Sequence, residues 1–140
     1  MSEDLLINIL LVEDDEVDIM NVQRAFRKNH MNYPLFIARN GLEALEMLQS
    51  DKIPKPHVII LDINMPKMNG LEFLQVMRQD EALKRISVFV MTTSNEDSDK
   101  INAYNFNVAG YILKPLSFEK FLNSMSTLDN YWKLCARPSY

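Results

Sequence analysis

Acidic residues stand at two places in this 140-residue chain where chemistry is possible. Glu13, Asp14 and Asp15 close an apolar run over residues 7–12, and Asp62 closes another over residues 58–61. Carboxylates gathered in one place repel one another and raise each other's pKa unless a cation neutralises them. Hard oxygen donors select Mg2+ or Mn2+, and Mg2+ takes one or two carboxylates, with water and phosphate oxygens filling its other positions. A carboxylate can also attack a phosphoryl group and form an aspartyl phosphate. Asp62 is therefore read as nucleophile as well as metal ligand. Two more apolar runs end on groups that suit phosphoryl chemistry. Residues 88–91 lead into Thr92-Thr93-Ser94, and residues 111–113 lead into Lys114-Pro115. The Lys114 ammonium can offset one phosphoryl oxygen and the Thr92 hydroxyl can donate a hydrogen bond to another. A turn around Pro66, between Asn64 and Gly70, would leave the Asn64 backbone carbonyl facing the metal.

These residues can act together only if the runs before them are neighbouring strands. Five apolar runs, at 7–12, 35–38, 58–61, 88–91 and 111–113, read as strands. Most are continuously apolar, the pattern of strands covered on both faces by helices. Helical stripes lie between them: Ile19, Val22 and Phe26; Leu42, Leu45 and Leu48; Leu71, Leu74 and Met77; Phe118, Leu122, Met125 and Leu128. Residues 97–106 give the weakest stripe, because asparagines and Tyr104 dilute it. Strands alternating with helices imply right-handed crossovers and a doubly wound α/β fold with a five-stranded parallel sheet. Ligands of such sheets bind beyond the carboxyl ends of the strands, where the four chemical groups fall.

Each residue alone has a plainer explanation. An acid at a strand end is more often a helix cap than a ligand, and Asp15, with Asp18 three residues on, is read as an N-cap. A lone lysine is usually solvated, and a lone threonine usually bonds to backbone. Mutual compatibility at four strand ends is what favours a site.

Composition narrows the alternatives. Nearly half the residues are apolar and the net charge is −4, with no concentrated basic face, so a nucleic-acid surface is not expected. The single Cys135 excludes an internal disulfide. The N-terminus lacks signal-peptide features and no run is long enough to span a membrane, so a cytoplasmic protein is expected. One domain is expected over residues 1–140, with its core at about 7–128 and a helical extension and tail at 129–140.

"ILLVEDDEVD", "VIILDINMPKMNGLEFL", "VFVMTTS" and "GYILKP" resemble, in order and spacing, the signatures of response-regulator receiver domains of two-component signalling, the CheY-like fold. The resemblance implies sheet order 2-1-3-4-5 with five flanking helices. It implies phosphorylation of Asp62 by a phosphohistidine on a sensor histidine kinase, with Mg2+ required. It places the acidic pair on Glu13 and Asp14, with Asp14 the direct ligand, and leaves Asp15 as a cap. It makes Thr92 the switch threonine, Lys114 the phosphoryl-contacting lysine and Tyr111 the switch aromatic, with a cis peptide between Lys114 and Pro115. It implies no enzyme beyond self-phosphorylation from a donor and autodephosphorylation.

Only residues 116–140 follow Pro115, room for one helix and a tail, so a stand-alone receiver is expected. Its output would be binding to a downstream protein or onward transfer to a phosphotransfer protein. "LVEDDEVD" and "YWKLCARP" look like the small regulators paired with bacterial phytochrome kinases. Tyr131 and Trp132 fall beyond the core stripe of the last helix; packing is favoured over a homodimer contact made by that helix and the tail. Two rival classes fit less well. A haloacid-dehalogenase-type phosphatase would place a second aspartate where Asn64 stands, and a flavodoxin-like carrier would bring flavin phosphate against Glu13-Asp14-Asp15.

Overall fold

The computed structural model describes residues 7–136. These form β1 (Ile9–Val12), α1 (Glu16–Lys28), β2 (Leu35–Ala38), α2 (Gly41–Gln49), β3 (Val58–Leu61), α3 (Gly70–Gln79), β4 (Ser87–Thr92), α4 (Asp97–Asn105), β5 (Gly110–Leu113) and α5 (Phe118–Leu134). The strands build one parallel sheet in the order β2-β1-β3-β4-β5. That is the order the family resemblance implies.

Side chains alternate across a strand, so a continuously apolar strand feeds two cores. Leu10, Val12, Ile59, Leu61, Val88 and Val90 point into one core, where they meet Leu45 of α2 and Phe73, Leu74 and Met77 of α3. Ile9, Leu11, Val58, Ile60, Phe89 and Met91 point into the other, against Ile19, Val22 and Phe26 of α1 and Phe121, Met125 and Leu128 of α5. The helices therefore cover both faces, and the strands deliver their last residues together at the carboxyl edge.

Local chemistry starts most helices where the topology needs them. Asp15 caps α1, its Oδ1 accepting from the Asp18 N–H at 3.0 Å. Asn40 and Ser117 cap α2 and α5, and Asn69 forms a capping box with Glu72 at the start of α3. No side chain caps α4, and Ala103 is its buried residue. A helix with so small a buried face is difficult to see in a sequence, which is why residues 97–106 gave the weakest pattern.

The last helix carries Trp132 into the core, 3 % exposed and edge-on to Phe89 at 5.9 Å and Tyr33 at 6.1 Å. Trp132 is thus a packing residue and not a surface contact. Tyr131 and Leu134 remain exposed. The part of the anticipated dimer contact carried by residues 137–140 lies outside the described residues. No helix among the described residues is long and apolar enough to cross a membrane.

Candidate functional site

Backbone ladders continue one residue past several strands and so fix what comes next. The Glu13 N–H donates to Ala38 O at 2.9 Å, the Asp62 N–H to Val12 O at 3.0 Å and the Lys114 N–H to Thr92 O at 2.8 Å. In the register of the sheet, Val12 stands opposite Leu61 and Thr92 opposite Leu113. Three residues with ionisable side chains are thereby held at the rim of one sheet by hydrogen bonds that belong to the fold.

The loop after Asp62 is closed by a hydrogen bond from the Gly70 N–H to Ile63 O at 3.1 Å. Lys67, just beyond Pro66, takes a positive φ of 62° to complete the turn. Gly70 is required by close approach: a Cβ there would lie 2.5 Å from Ile63 Cα and 2.7 Å from Asp62 O. The start of α3 therefore presses directly on the backbone of Asp62.

Carboxylate oxygens of Glu13, Asp14 and Asp62 lie within 4.8 Å of one another. Glu13 and Asp62 are buried, at 3 % and 7 % exposure, while Asp14 faces solvent. This is a donor set suited to a hard divalent cation, with an exposed side through which water and phosphate oxygens can complete the coordination. The exposed residue Asn64 donates its N–H to Asp62 Oδ1 at 3.2 Å, which keeps it beside the carboxylate. Asp15 points elsewhere, into its cap.

Lys114 faces this cluster. Its Nζ donates to Glu13 Oε1 at 2.8 Å, to Asp18 Oδ2 at 2.7 Å and to Asp62 Oδ2 at 3.4 Å. Burial by itself would lower the Lys114 pKa, but hydrogen bonds to Asp18 and Glu13 and the charges of Asp62 and Glu13 outweigh it and hold the ammonium above its usual range. Glu13 responds oppositely: burial, opposed by the Lys114 hydrogen bond and reinforced by the Asp62 charge, pushes its carboxyl from 4.5 to about 7. A lysine so placed remains charged and can meet a phosphoryl oxygen near Asp62.

Thr92 is fully buried, and its Oγ1 accepts from the Ser94 N–H at 3.3 Å. Ser94 in turn accepts the Tyr111 hydroxyl on its carbonyl at 3.0 Å and donates its own hydroxyl to Asp99 at 2.6 Å. Thr92, Tyr111 and the first turn of α4 are therefore joined through one residue. A cleft of about 70 Å³ beside the cluster is lined by Glu13, Asp18, Asp62, Lys114, Phe118 and Phe121, among others.

One expectation is overturned. The Lys114–Pro115 peptide is trans, since no cis peptide occurs among the described residues. The isomers of a bond before proline differ by only about 0.5–1 kcal/mol, so surrounding contacts select between them. Here the trans chain delivers Lys114 to the three carboxylates and Ser117 to the cap of α5. The sequence reading also missed Asp18, assigned only to a capping pattern. Its signal was present in its position: it lies in the first turn of α1, the helix that begins directly beyond the end of β1.

The chain is similar in sequence to the response regulator Rcp1 of Synechocystis sp., 35 % identical over 128 residues that cover 89 % of this chain and 87 % of that protein. It is similar in structure to the Mn2+-bound form of Rcp1, with a TM-score of 0.87 and 33 % identity over 95 % of this chain and 99 % of that one. It also resembles the phosphorylated cyanobacterial phytochrome response regulator RcpA, with a TM-score of 0.88 and 31 % identity over 96 % of this chain and the whole of that one. The response regulator receiver domain model matches residues 9–126, the span that holds the sheet and every residue of the acidic rim. The chain belongs to the response regulator receiver domain family, the receiving component of two-component signalling.

Proposed function

We propose that Asp62 is the phosphoacceptor and that its donor is the phosphohistidine of a sensor histidine kinase. The observation that carries this reading is the position of Asp62: buried, within 4.8 Å of two further carboxylates and 3.4 Å from the Lys114 ammonium. A carboxylate oxygen of Asp62 attacks phosphorus as the phosphorus–nitrogen bond breaks, and the bonding pair stays with the imidazole. Glu13, Asp14, Asp62 and the Asn64 carbonyl would hold Mg2+, or Mn2+, whose positive charge would offset the negative charge of the phosphoryl oxygens. Lys114 neutralises a further oxygen. Thr92 turns its hydroxyl to the remaining one and thereby gives up the Ser94 N–H, loosening the residue that also holds Tyr111 and α4. The switch is a population shift between two arrangements of Thr92, Tyr111 and α4, read by a partner at that face. Hydrolysis of the acyl phosphate resets it.

The likeness to RcpA, a cyanobacterial phytochrome response regulator, supports a phytochrome-type kinase as the upstream partner. The net charge of −4 supports a protein as the downstream target, or a phosphotransfer protein, over nucleic acid. Exposed Tyr131 and Leu134 support a homodimer contact at the end of α5, and molar mass in solution with and without a phosphoryl mimic tests it. The central experiment is Mg2+-dependent labelling by acetyl phosphate, with Asp62→Asn expected to abolish it. Labelling that survives the substitution sinks the assignment of the nucleophile.

A further inference from the structure

The shortest contact of Lys114 is to a residue outside the acidic rim. Its Nζ lies 2.7 Å from Asp18 Oδ2 but 3.4 Å from Asp62 Oδ2, so the ammonium is drawn toward α1 and away from the acceptor. An ammonium has three N–H donors, and Glu13, Asp18 and Asp62 take all three. Glu13 is one of the carboxylates suited to a cation, so its claim on Lys114 weakens when that cation binds. Asp18 and the acceptor group then compete for one lysine.

Resting on the reading of Asp62 as phosphoacceptor, we propose that Asp18 is a positioning residue that tethers Lys114 in the resting pocket and is exchanged for a phosphoryl oxygen when Asp62 is loaded. The Asp18 carboxylate stands outside the metal cluster and makes its hydrogen bond and ion pair with Lys114, so its influence passes through the lysine. Its carboxylate is a third exposed, with a side-chain exposure of 33 %, against 14 % for Lys114. The tether is therefore of the strength of a partly solvated ion pair, strong enough to bias the lysine and weak enough to release it.

The test is binding of beryllofluoride, a phosphoryl mimic, at saturating Mg2+, followed by fluorine NMR. Asp18→Asn removes the tether and is expected to tighten binding by about two- to fivefold, the ratio that corresponds to a partly exposed pair. Asp15→Asn removes the same charge from the same end of α1 while keeping a good N-cap, and is expected to change binding by less than about twofold. In the metal-free protein, the Lys114 ammonium proton resonance, slowed in exchange by its three partners, should broaden or vanish in Asp18→Asn and persist in Asp15→Asn. Unchanged beryllofluoride affinity in Asp18→Asn, or equal tightening in both variants, overturns the tether while leaving Asp62 as acceptor. Failure of the unsubstituted protein to bind the mimic, or equal binding by Asp62→Asn, overturns the acceptor reading and the tether with it.

Discussion

Replacing Glu13 by glutamine should remove a pH dependence that the fold builds into the metal-free protein. The Glu13 carboxyl is raised from 4.5 to about 7, chiefly by burial, with the Lys114 hydrogen bond opposing and the Asp62 charge adding. A carboxyl that binds its proton more tightly folded than unfolded makes the native state lose stability as pH rises through that interval and leaves it less stable above. The interval from 4.5 to about 7 corresponds to roughly 3 kcal/mol. In a chain of this size that is roughly 6–12 °C of Tm. Thermal unfolding in chelator at about pH 5 and about pH 8 gives the assay, with the difference between the two proteins taken at each pH. Taking that difference cancels the contribution of every titrating group that both proteins share. The unsubstituted protein should lose stability relative to Glu13→Gln across this range. Millimolar Mg2+ should restore it more at the higher pH, because at the lower one the ion must first displace the proton. A Tm difference that is flat with pH, or equal stabilisation by Mg2+ at both values, would refute this account of Glu13.

Gly70→Ala should destabilise the fold by roughly 1–3 kcal/mol and slow acetyl phosphate labelling, since the new methyl can be seated only by moving the Asp62–Ile63 backbone; urea unfolding and labelling rates on the same samples check both effects. Arg78→Met should cost about 2–4 kcal/mol in urea while labelling persists. Arg78 donates to the carbonyls of Phe106, Lys84, Ile86 and Asn107 at 2.7 to 3.2 Å, fastening α3 to the segments before β4 and β5, far from the acidic rim.

How much of this was legible in the sequence follows from the range of each interaction. Strand-end positions are local facts, and the topology turns them into neighbours, so Glu13, Asp14, Asp62, Thr92 and Lys114 can be selected from the chain alone. The resemblance added strand order and Tyr111. Asp18 was read through its nearest sequence relationship, the cap at Asp15, and that bond is present; its other partner lies 96 positions away in the chain. Arg78 was invisible for a similar reason: its acceptors are backbone carbonyls, which leave no mark in residue type. The isomer before Pro115 was misjudged because an energy gap of about 1 kcal/mol is decided by contacts that no short motif contains.

The charge of the pocket links these observations. Glu13, Asp18 and Asp62 share a single ammonium and Asp14 lies beside Glu13 and Asp62, which leaves an excess of three negative charges when all four acids are ionised. Lys114 cannot relieve this alone, and Glu13, the most buried of the four, does so by retaining a proton to about pH 7. A divalent cation performs the same service without the proton, and in the proposed function it does so where a phosphoryl group needs positive charge. The features that make the metal-free pocket costly, namely burial of Glu13 and crowding of carboxylates at one sheet edge, are then the same features that favour a loaded one. Asp18 is the member of the group that can be removed without dismantling the acidic rim, so its substitution separates neutralisation by Lys114 from coordination by the carboxylates.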